Sequence, residues 1–273
     1  MTGPGTPNGI IPGAYDPRVA RVFGVIVRRM IRGRFHAARL TPGSLDHLDA
    51  LAQHEGPVVC CLTHAGWWDP MLGMLLHIGR FGPHGRDGIA PIDRDVLQNV
   101  GIFKRLGLFG IDPDDPASKA AVVDFAASRL AKGTRPTLWI TPQGRFQDPR
   151  EPMRVRPGVS AILGRLDSEQ RGVRVLAVAV EYPFWDDKKP ELLAHIAPID
   201  PPPGARSTAA WHRRVSSALP AAADHLAAEA ISRDPSRFET LIGGETGGTF
   251  FVYDWFLKLT GRDTASIRTR RTP

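Results

Sequence analysis

The chain of 273 residues has only two cysteines, Cys60 and Cys61, which are adjacent inside an apolar run. Adjacent cysteines offer neither a disulfide framework nor a zinc site, so both are predicted to be small core residues in a reducing compartment. No apolar run reaches 18 residues, and residues 1–13 lack the basic and apolar regions of a signal peptide. The sequence therefore predicts neither a membrane span nor a secretory leader.

Several signature motifs are also missing. No G-x-S-x-G nucleophile elbow is present, which disfavours a serine hydrolase. The paired glycines at 243–244 and 247–248 lack the preceding strand and the following lysine of a phosphate-binding loop. His195, His212 and His225 have no partners at metal-ligand spacing. We therefore expect no metal and no bound cofactor.

Acidic residues are scarce at the two ends of the chain, which hold the excess positive charge. The chain carries 35 Lys+Arg and 28 Asp+Glu, a formal net charge of +7. Residues 17–45 contain seven arginines and no acid, and residues 258–273 contain five bases and one acid, whereas residues 46–257 hold 23 bases and 26 acids. Because this central part is slightly acidic and has no recognisable nucleic-acid module, nucleic acid is not expected as a partner. The basic ends favour an anionic surface.

Residues 17–35 are predicted to form an amphipathic helix, because seven apolar side chains recur at three- and four-residue spacing. An apolar face bordered by arginines suits a helix lying among anionic lipid headgroups. The alternative is an ordinary helix that packs its apolar face on the domain while its arginines are solvated. On the first interpretation, the membrane-binding residues include Arg18, Arg21, Phe23, Arg28, Arg29 and Met30.

Further along the chain, apolar runs typical of buried strands alternate with helical patterns. Strands are predicted at residues 58–63, 89–92, 108–111, 137–141 and 173–181, an edge strand at 192–196, and helices at 70–78, 94–106, 117–131, 157–166 and 209–232. This alternation predicts a three-layer α/β fold, with a mixed, mostly parallel sheet flanked by helices and functional residues at the strand ends. Residues 181–185 are interpreted as a turn with packed aromatics. We predict a tail with a basic helix (1–45), an α/β domain (46–235) and an aromatic, basic C-terminal segment (236–273).

The segment after the first buried strand, Thr63-His64-Ala65-Gly66-Trp67-Trp68-Asp69, carries candidate catalytic residues. A histidine at the mouth of a strand and an aspartate five positions later can act as a general base and its orienting partner. A structural histidine and a capping aspartate have the same spacing, so the pair alone does not establish a site. His64 and Asp69 are nevertheless the best candidates for catalysis.

The order of the following segments supports this interpretation. After the H-x4-D motif come the short strand 107–111, the turn Pro142-Gln143-Gly144, the stretch Arg154-Val155-Arg156-Pro157-Gly158 and the strand Val178-Ala179-Val180. Over residues 57–198 this order resembles the glycerolipid acyltransferase family, which includes the acyltransferases of glycerol 3-phosphate and lysophosphatidic acid. The resemblance implies a glycerol-3-phosphate acyltransferase-like fold, with His64 as general base and Asp69 as its partner. A lipid hydroxyl would attack an acyl thioester directly.

The resemblance also implies the substrates and the location. The acyl donor is expected to be acyl-CoA or acyl carrier protein, as a co-substrate, and the acceptor a lipid hydroxyl such as that of a lysophospholipid. The enzyme is expected to be cytoplasmic and peripheral on the cytoplasmic face of an anionic membrane. Candidate substrate-binding residues are Thr63, Gln143, Gly144, Arg145, Lys104 and Arg105.

Two departures from the family pattern concern the acceptor. Gln143 replaces the glutamate of the family's Pro-Glu-Gly turn, and Arg145-Phe146 replaces its Thr-Arg. Asp112-Pro113 stands where the second motif usually has an arginine for the acceptor phosphate. Because both phosphate-binding arginines are displaced, we expect an acceptor other than lysophosphatidic acid. The departures leave open a second interpretation, a catalytically inactive lipid- or partner-binding protein on the same fold.

Overall fold

The computed structural model describes residues 9–204 and 206–243. Residues 1–8 of the predicted tail and residues 244–273 of the predicted C-terminal segment lie outside this range. Helices and strands alternate along the described chain. In order they are α1 (Pro17–Arg34), β1 (Ala37–Leu40), α2 (Ser44–Ala52), β2 (Val58–Leu62), α3 (Asp69–Leu76), β3 (Asp87–Asp93), α4 (Arg94–Asn99), α5 (Ile102–Arg105), β4 (Leu108–Ile111), α6 (Pro116–Lys132), β5 (Pro136–Ile140), α7 (Gly158–Ser168), β6 (Arg174–Glu181), β7 (Leu192–Ile199), α8 (Thr208–Ile231) and β8 (Glu239–Gly243).

One eight-stranded sheet runs through the protein, with the strand order β4-β3-β5-β2-β6-β7-β1-β8. The first five strands in this order pair in parallel. β7 is antiparallel to β6, β1 is parallel to β7, and β8 is antiparallel to β1. The first five strands in this order and β8 therefore run in the same direction, and β7 and β1 run in the opposite one. This confirms the predicted α/β class with a mixed, mostly parallel sheet.

Helices cover both faces of the sheet, because the central strands bury side chains on both sides. In β2, Val59 and Cys61 pack into a core with α6, α7 and α8, whereas Val58 and Cys60 pack into a second core with α1, α2 and α3. Every side chain of β2 is buried. The arrangement has three layers, and the two cysteines are core residues on opposite faces of the sheet.

The position predicted for the edge strand is wrong. β7 lies inside the sheet, because β1 and β8 pair beyond it. Both of these strands come from outside residues 46–235, the range predicted for the α/β domain, since β1 follows the basic helix and β8 opens the C-terminal segment. Each is short and pairs with a distant part of the chain, and local periodicity does not reveal such pairing.

Two of the predicted segments differ in detail. The helix expected at residues 94–106 is divided into α4 and α5, because Val100 leaves the helical conformation with φ −120° and ψ 76°. The helix expected at residues 70–78 ends as α3 at Leu76 and continues into a π-helical turn, His77–Phe81, followed by a 3₁₀ turn, Gly82–His84. Neither difference moves the strands that carry the predicted site.

The basic helix forms as predicted, but its apolar side chains are divided between two faces. Asp16 caps its N-terminus by accepting hydrogen bonds from the N–H groups of Arg18 and Val19. The face packed on the domain is formed by Ala20, Gly24, Val27 and Ile31. By contrast, Val22 is 66% exposed and Ile26 is 47% exposed. In residues 9–204 and 206–243, no helix has the length and hydrophobicity needed to cross a membrane.

Candidate functional site

The candidate site lies at the carboxyl ends of the central parallel strands β2, β5 and β6. β2 is placed between β5 and β6 and is parallel to both, so the three strands end at the same edge. The Thr63 N–H still donates to the Val178 carbonyl at 2.9 Å, and the chain leaves the sheet at His64. Side chains that follow β2 are therefore placed at the carboxyl edge of the sheet, where α/β proteins bind their ligands.

His64 and Asp69 form the predicted pair. Nδ1 of His64 lies 3.1 Å from Oδ2 of Asp69. The same carboxylate oxygen accepts a hydrogen bond from the Gly66 N–H at 2.8 Å, and the other oxygen accepts one from the Tyr182 hydroxyl. Asp69 is fully buried and begins α3, whose N-terminal dipole favours an anion. The carboxylate therefore has three hydrogen-bond donors although it has no contact with solvent.

This pairing fixes the chemistry available to the imidazole. Because the carboxylate accepts at Nδ1, the Nδ1–H tautomer is favoured and Nε2 carries the free lone pair. Nε2 has no hydrogen-bond partner within the described part of the chain, and the His64 side chain is 17% exposed. A partly exposed imidazole with an engaged Nδ1 is the arrangement that a general base requires.

The loop after β5 holds the backbone of His64 on both sides. Oε1 of Gln143 accepts from the His64 N–H at 2.6 Å, and the Gln147 N–H donates to the His64 carbonyl at 2.9 Å. The two glutamines are joined by a hydrogen bond of 3.0 Å from Gln143 Nε2 to Gln147 Oε1, and both are buried. The ring of Phe146 contacts the imidazole with a centroid distance of 4.2 Å. Together these contacts hold the backbone of His64 and place an aromatic ring against its imidazole.

Two hollows adjoin the pair. The larger, which we call the aromatic cleft, has a volume of about 490 Å³. Its lining includes Met30, Arg34, Phe35, Trp67, Tyr182 and Phe184. Phe35 and Tyr182 stack with their ring centroids 5.8 Å apart. Since Tyr182 also donates to Asp69, the wall of this apolar cleft is in direct contact with the His64–Asp69 pair.

The smaller hollow, which we call the acidic cavity, lies between His64 and α8 and has a volume of about 60 Å³. Its ionisable lining consists of His64, Asp148, Glu151, Glu181 and Asp224. Of the described residues that line it, none is a lysine or an arginine. Burial raises the pKa of Glu181. Among the described residues of this lining, His64 is the one side chain that can carry a positive charge.

Three of the predicted substrate-binding residues are occupied with structural contacts. The Thr63 hydroxyl accepts a hydrogen bond from the Val180 N–H at 3.0 Å and so ties β2 to β6. Gln143 faces inward, toward His64 and Gln147. Arg145 is exposed and lies 3.7 Å from Glu151. Gly144 is exposed between them in the left-handed region, with φ +64°, which glycine adopts at no steric cost.

Lys104 and Arg105, also predicted to bind substrate, lie apart from His64 in the sheet. Both lie in α5, which precedes β4, so they are at the amino edge of the parallel strands, whereas His64 is at the carboxyl edge. The Arg105 guanidinium donates to the Asp16 carboxylate at 2.6 Å. This contact ties Arg105 to the residue that caps α1.

Tyr182 is the site residue that sequence reasoning missed, because the segment 181–185 was interpreted as a packed turn. Burial and the neighbouring Asp69 carboxylate raise the pKa of Tyr182 far above its usual value, so its hydroxyl stays protonated and donates. Position 182 directly follows β6, the strand beside β2. A residue that directly follows a strand next to β2 is expected at the same edge of the sheet as His64, and this position could have identified Tyr182.

The predicted membrane-binding residues occupy different environments on α1. Arg18, Arg21, Arg28 and Arg29 are exposed. Phe23 is half-buried and packs edge-on against Phe103 with a centroid distance of 6.3 Å. Met30 is half-buried and lines the aromatic cleft. The arginines are thus free to meet an anionic surface, whereas Phe23 is turned toward the domain.

Comparisons with protein-family models and with curated proteins give no match. Within residues 9–204 and 206–243, no group of three or more His, Cys, Asp or Glu side chains could hold a metal ion. The resemblance to glycerolipid acyltransferases therefore rests on the sequence motifs of this chain alone.

Proposed function

We propose that the protein is a lipid O-acyltransferase that moves a fatty acyl group from acyl-CoA or acyl carrier protein to a lipid hydroxyl. The observation that carries the proposal is the His64–Asp69 hydrogen bond of 3.1 Å at the carboxyl end of β2, beside an apolar cleft of about 490 Å³. A base with an orienting carboxylate suits acyl transfer to a hydroxyl. An apolar cleft suits a long acyl chain. Within this proposal, the sheet is the glycerol-3-phosphate acyltransferase-like form of the α/β fold.

The proposed reaction needs no covalent enzyme intermediate. The acceptor hydroxyl oxygen attacks the thioester carbonyl carbon while Nε2 of His64 takes the hydroxyl proton. When the tetrahedral intermediate collapses, the carbon–sulfur bond breaks and the imidazolium returns the proton to the departing thiolate. The products are an ester and a free thiol. Asp69 keeps Nδ1 protonated and stabilises the imidazolium between the two steps.

The acceptor in this proposal carries no phosphate monoester. Arg145, which follows the Pro-Gln-Gly turn, is paired with Glu151, and the acidic cavity beside His64 has a carboxylate lining. A phosphate dianion binds best to a guanidinium fork, and the described lining of the acidic cavity, which includes His64, contains no guanidinium. The described lining of the aromatic cleft contains that of Arg34, but His64 does not line that cleft. A lysophospholipid, a glycolipid or an isoprenoid-type lipid alcohol fits better than lysophosphatidic acid. The enzyme would act as a peripheral protein on the cytoplasmic face of a membrane.

Purified protein assayed with long-chain acyl-CoA and a panel of lipid acceptors tests the proposal. We expect ester formation with an equimolar release of thiol, and a loss of turnover of about 10²- to 10⁴-fold in His64→Ala. His84→Ala, which alters an exposed histidine in the 3₁₀ turn, is the matched control and should be fully active. Circular dichroism establishes that both variants are folded.

The outcomes separate the parts of the proposal. Undiminished activity in His64→Ala excludes His64 as the base. Preferred acylation of lysophosphatidic acid refutes the acceptor class but not the reaction. If no acceptor is acylated while the folded protein still binds lipid, the inactive lipid-binding alternative replaces the enzyme.

A further inference from the structure

The outer face of α1 exposes apolar side chains that the fold does not use. Val22 is 66% exposed, Val25 is 68% exposed and Ile26 is 47% exposed, and they lie within one and a half turns of each other. We call these three residues the α1 strip. Isolated exposed apolar residues are common, but a contiguous group on one helix face marks an interaction surface.

Unpaired positive charge surrounds the α1 strip. Arg18, Arg21, Arg28, Arg29 and Arg32 are all exposed on the same helix. Within the described part of the chain, none of their side chains forms an ion pair, although Arg39 and Arg105 nearby in the fold do. Apolar side chains among unneutralised arginines complement a surface that is anionic outside and apolar beneath. An anionic lipid bilayer has this composition.

The α1 strip is continuous with the aromatic cleft. Val22, Ile26 and Met30 are spaced four residues apart and so form one ridge on the helix, and Met30 lines the cleft. Two aromatic residues of the cleft lining also reach solvent, since Trp67 is 60% exposed and Phe184 is 62% exposed. Aromatic side chains at the rim of an apolar opening are well suited to the interfacial region of a bilayer.

We propose that the α1 strip and the rim residues Trp67 and Phe184 dock this protein on an anionic bilayer, with the aromatic cleft opening directly into the lipid. Lipid then passes along the ridge from Val22 to Met30 and reaches the cleft beside His64 without crossing water. Of the seven apolar residues that predict the amphipathic helix, Val22 and Ile26 belong to this docking surface, whereas Val27 and Ile31 are buried against the domain. The role of the cleft as a lipid entrance rests on the proposed function, whereas the docking does not.

Vesicle flotation measures the docking directly. The probe is a phosphatidylcholine vesicle with or without one third phosphatidylglycerol, at low and high salt. We expect binding only to the anionic vesicles and a decrease at high salt. Arg21→Gln with Arg29→Gln should weaken binding by about fivefold per arginine. Val22→Ser with Ile26→Ser should weaken it by about tenfold or more.

Matched controls lie on the opposite face of the sheet. Ile231→Ser and Arg213→Gln change an exposed apolar residue and an exposed arginine of α8, and neither should affect vesicle binding. His64→Ala should bind vesicles like the unmodified protein. In acyl-transfer assays, the α1 variants should be slow on vesicles but retain full activity on an acceptor dispersed in detergent micelles.

The results distinguish this proposal from the proposed function. A protein that does not bind anionic vesicles, or α1 variants that bind as well as the unmodified protein, would overturn the docking proposal. Capture of an acidic acyl carrier protein by the arginines, without vesicle binding, assigns the surface to that partner and overturns it as well. If vesicle binding depends on the α1 strip but no acyl transfer occurs in micelles, only the proposed function fails.

Discussion

Replacing Asp69 by asparagine isolates the charge of the buried carboxylate. Oδ2 accepts from His64 Nδ1 and the Gly66 N–H, and Oδ1 accepts from the Tyr182 hydroxyl. In Asp69→Asn the amide oxygen can keep the Oδ2 position, and the amide N–H₂ can donate to a Tyr182 hydroxyl that has rotated to accept. All three contacts then survive with the same shape. We therefore expect a folded protein that has lost only one negative charge.

The magnitude follows from the distance between the two groups. An imidazolium and a carboxylate at the 3.1 Å separation of Nδ1 and Oδ2 attract each other by about 5 kcal/mol at an effective dielectric constant of about 20. In the proposed reaction, the imidazolium forms only after His64 has taken the acceptor proton, so the attraction lowers the barrier and not the energy of the resting state. Its loss predicts a decrease in kcat of about four orders of magnitude. KM should change little.

Steady-state acyl transfer and urea denaturation are the two measurements. Asp69→Ala is the informative companion variant, because it leaves the Gly66 N–H and the Tyr182 hydroxyl without an acceptor and should also lose stability. A kcat of Asp69→Asn within a few-fold of the unmodified enzyme would refute the electrostatic role of Asp69. Equal destabilisation of both variants would refute the hydrogen-bond exchange at Tyr182.

Three further predictions concern buried polar groups. Tyr182→Phe keeps the ring but removes a donor to Asp69, so kcat should fall by about tenfold with unchanged KM and the free energy of unfolding by about 1.5–3 kcal/mol; unchanged kinetics would reduce Tyr182 to a packing residue. Burial lowers the pKa of His77 to about 3, against about 6.5 in an unfolded chain. Since the unfolded state takes up this proton first as the pH falls, the free energy of unfolding should decrease by up to about 1.4 kcal/mol per pH unit between about pH 6.5 and pH 3. His77→Asn should flatten that slope in denaturation curves, and an equally steep slope would contradict the assignment. Gln143→Glu introduces the glutamate of the acyltransferase pattern but sets a carboxylate against the Gln147 amide oxygen. We expect the free energy of unfolding, measured by urea denaturation, to fall by about 1–3 kcal/mol. A variant of equal stability would show that the Gln143–Gln147 hydrogen bond is dispensable.

The central strands were predictable because their environment dictates every residue in them. β2, β5 and β6 are covered by helices on both faces, which requires an apolar side chain at nearly every position and leaves a continuous run in the sequence. β1 and β8 lie at the end of the sheet and alternate only partly between buried and exposed positions. Their short segments have no comparable pattern, and their partners are distant in the chain. Because β1 and β8 were not predicted, β7 was placed at the edge of the sheet and not inside it.

The orientation of α1 shows a limit of periodicity. Seven apolar residues identify an amphipathic helix but cover more than one of its faces, so the sequence does not say which face turns inward. Tertiary contact decides this at Gly24, where a Cβ atom would lie 2.9 Å from Cγ2 of Ile78. The close approach that glycine allows sets Val27 and Ile31 inward and leaves Val22 and Ile26 outside.

The contact between His64 and Asp69 was predictable because the two residues lie five positions apart, on either side of one tight turn. Tyr182 joins them from 113 positions beyond Asp69, through the pairing of β2 with β6. The positive charge of Lys104 and Arg105 suits an acceptor phosphate, but charge does not indicate which edge of the sheet a residue occupies. Residues that follow a parallel strand reach the site, and these two precede one.

Because both native cysteines are buried, a cysteine introduced at the surface can be labelled selectively. Burial raises the pKa of Cys61 to about 12 and, together with the neighbouring Cys61, raises that of Cys60 well above its usual value. Thiolates are the reactive form, so neither sulfur is available to alkylating reagents while the sheet is closed. A single cysteine introduced at position 25 will therefore take a spin label or a fluorophore alone, and its probe will report the depth of the helix in a bilayer. In the unmodified chain, the same reagents will react only as fast as the central strands open.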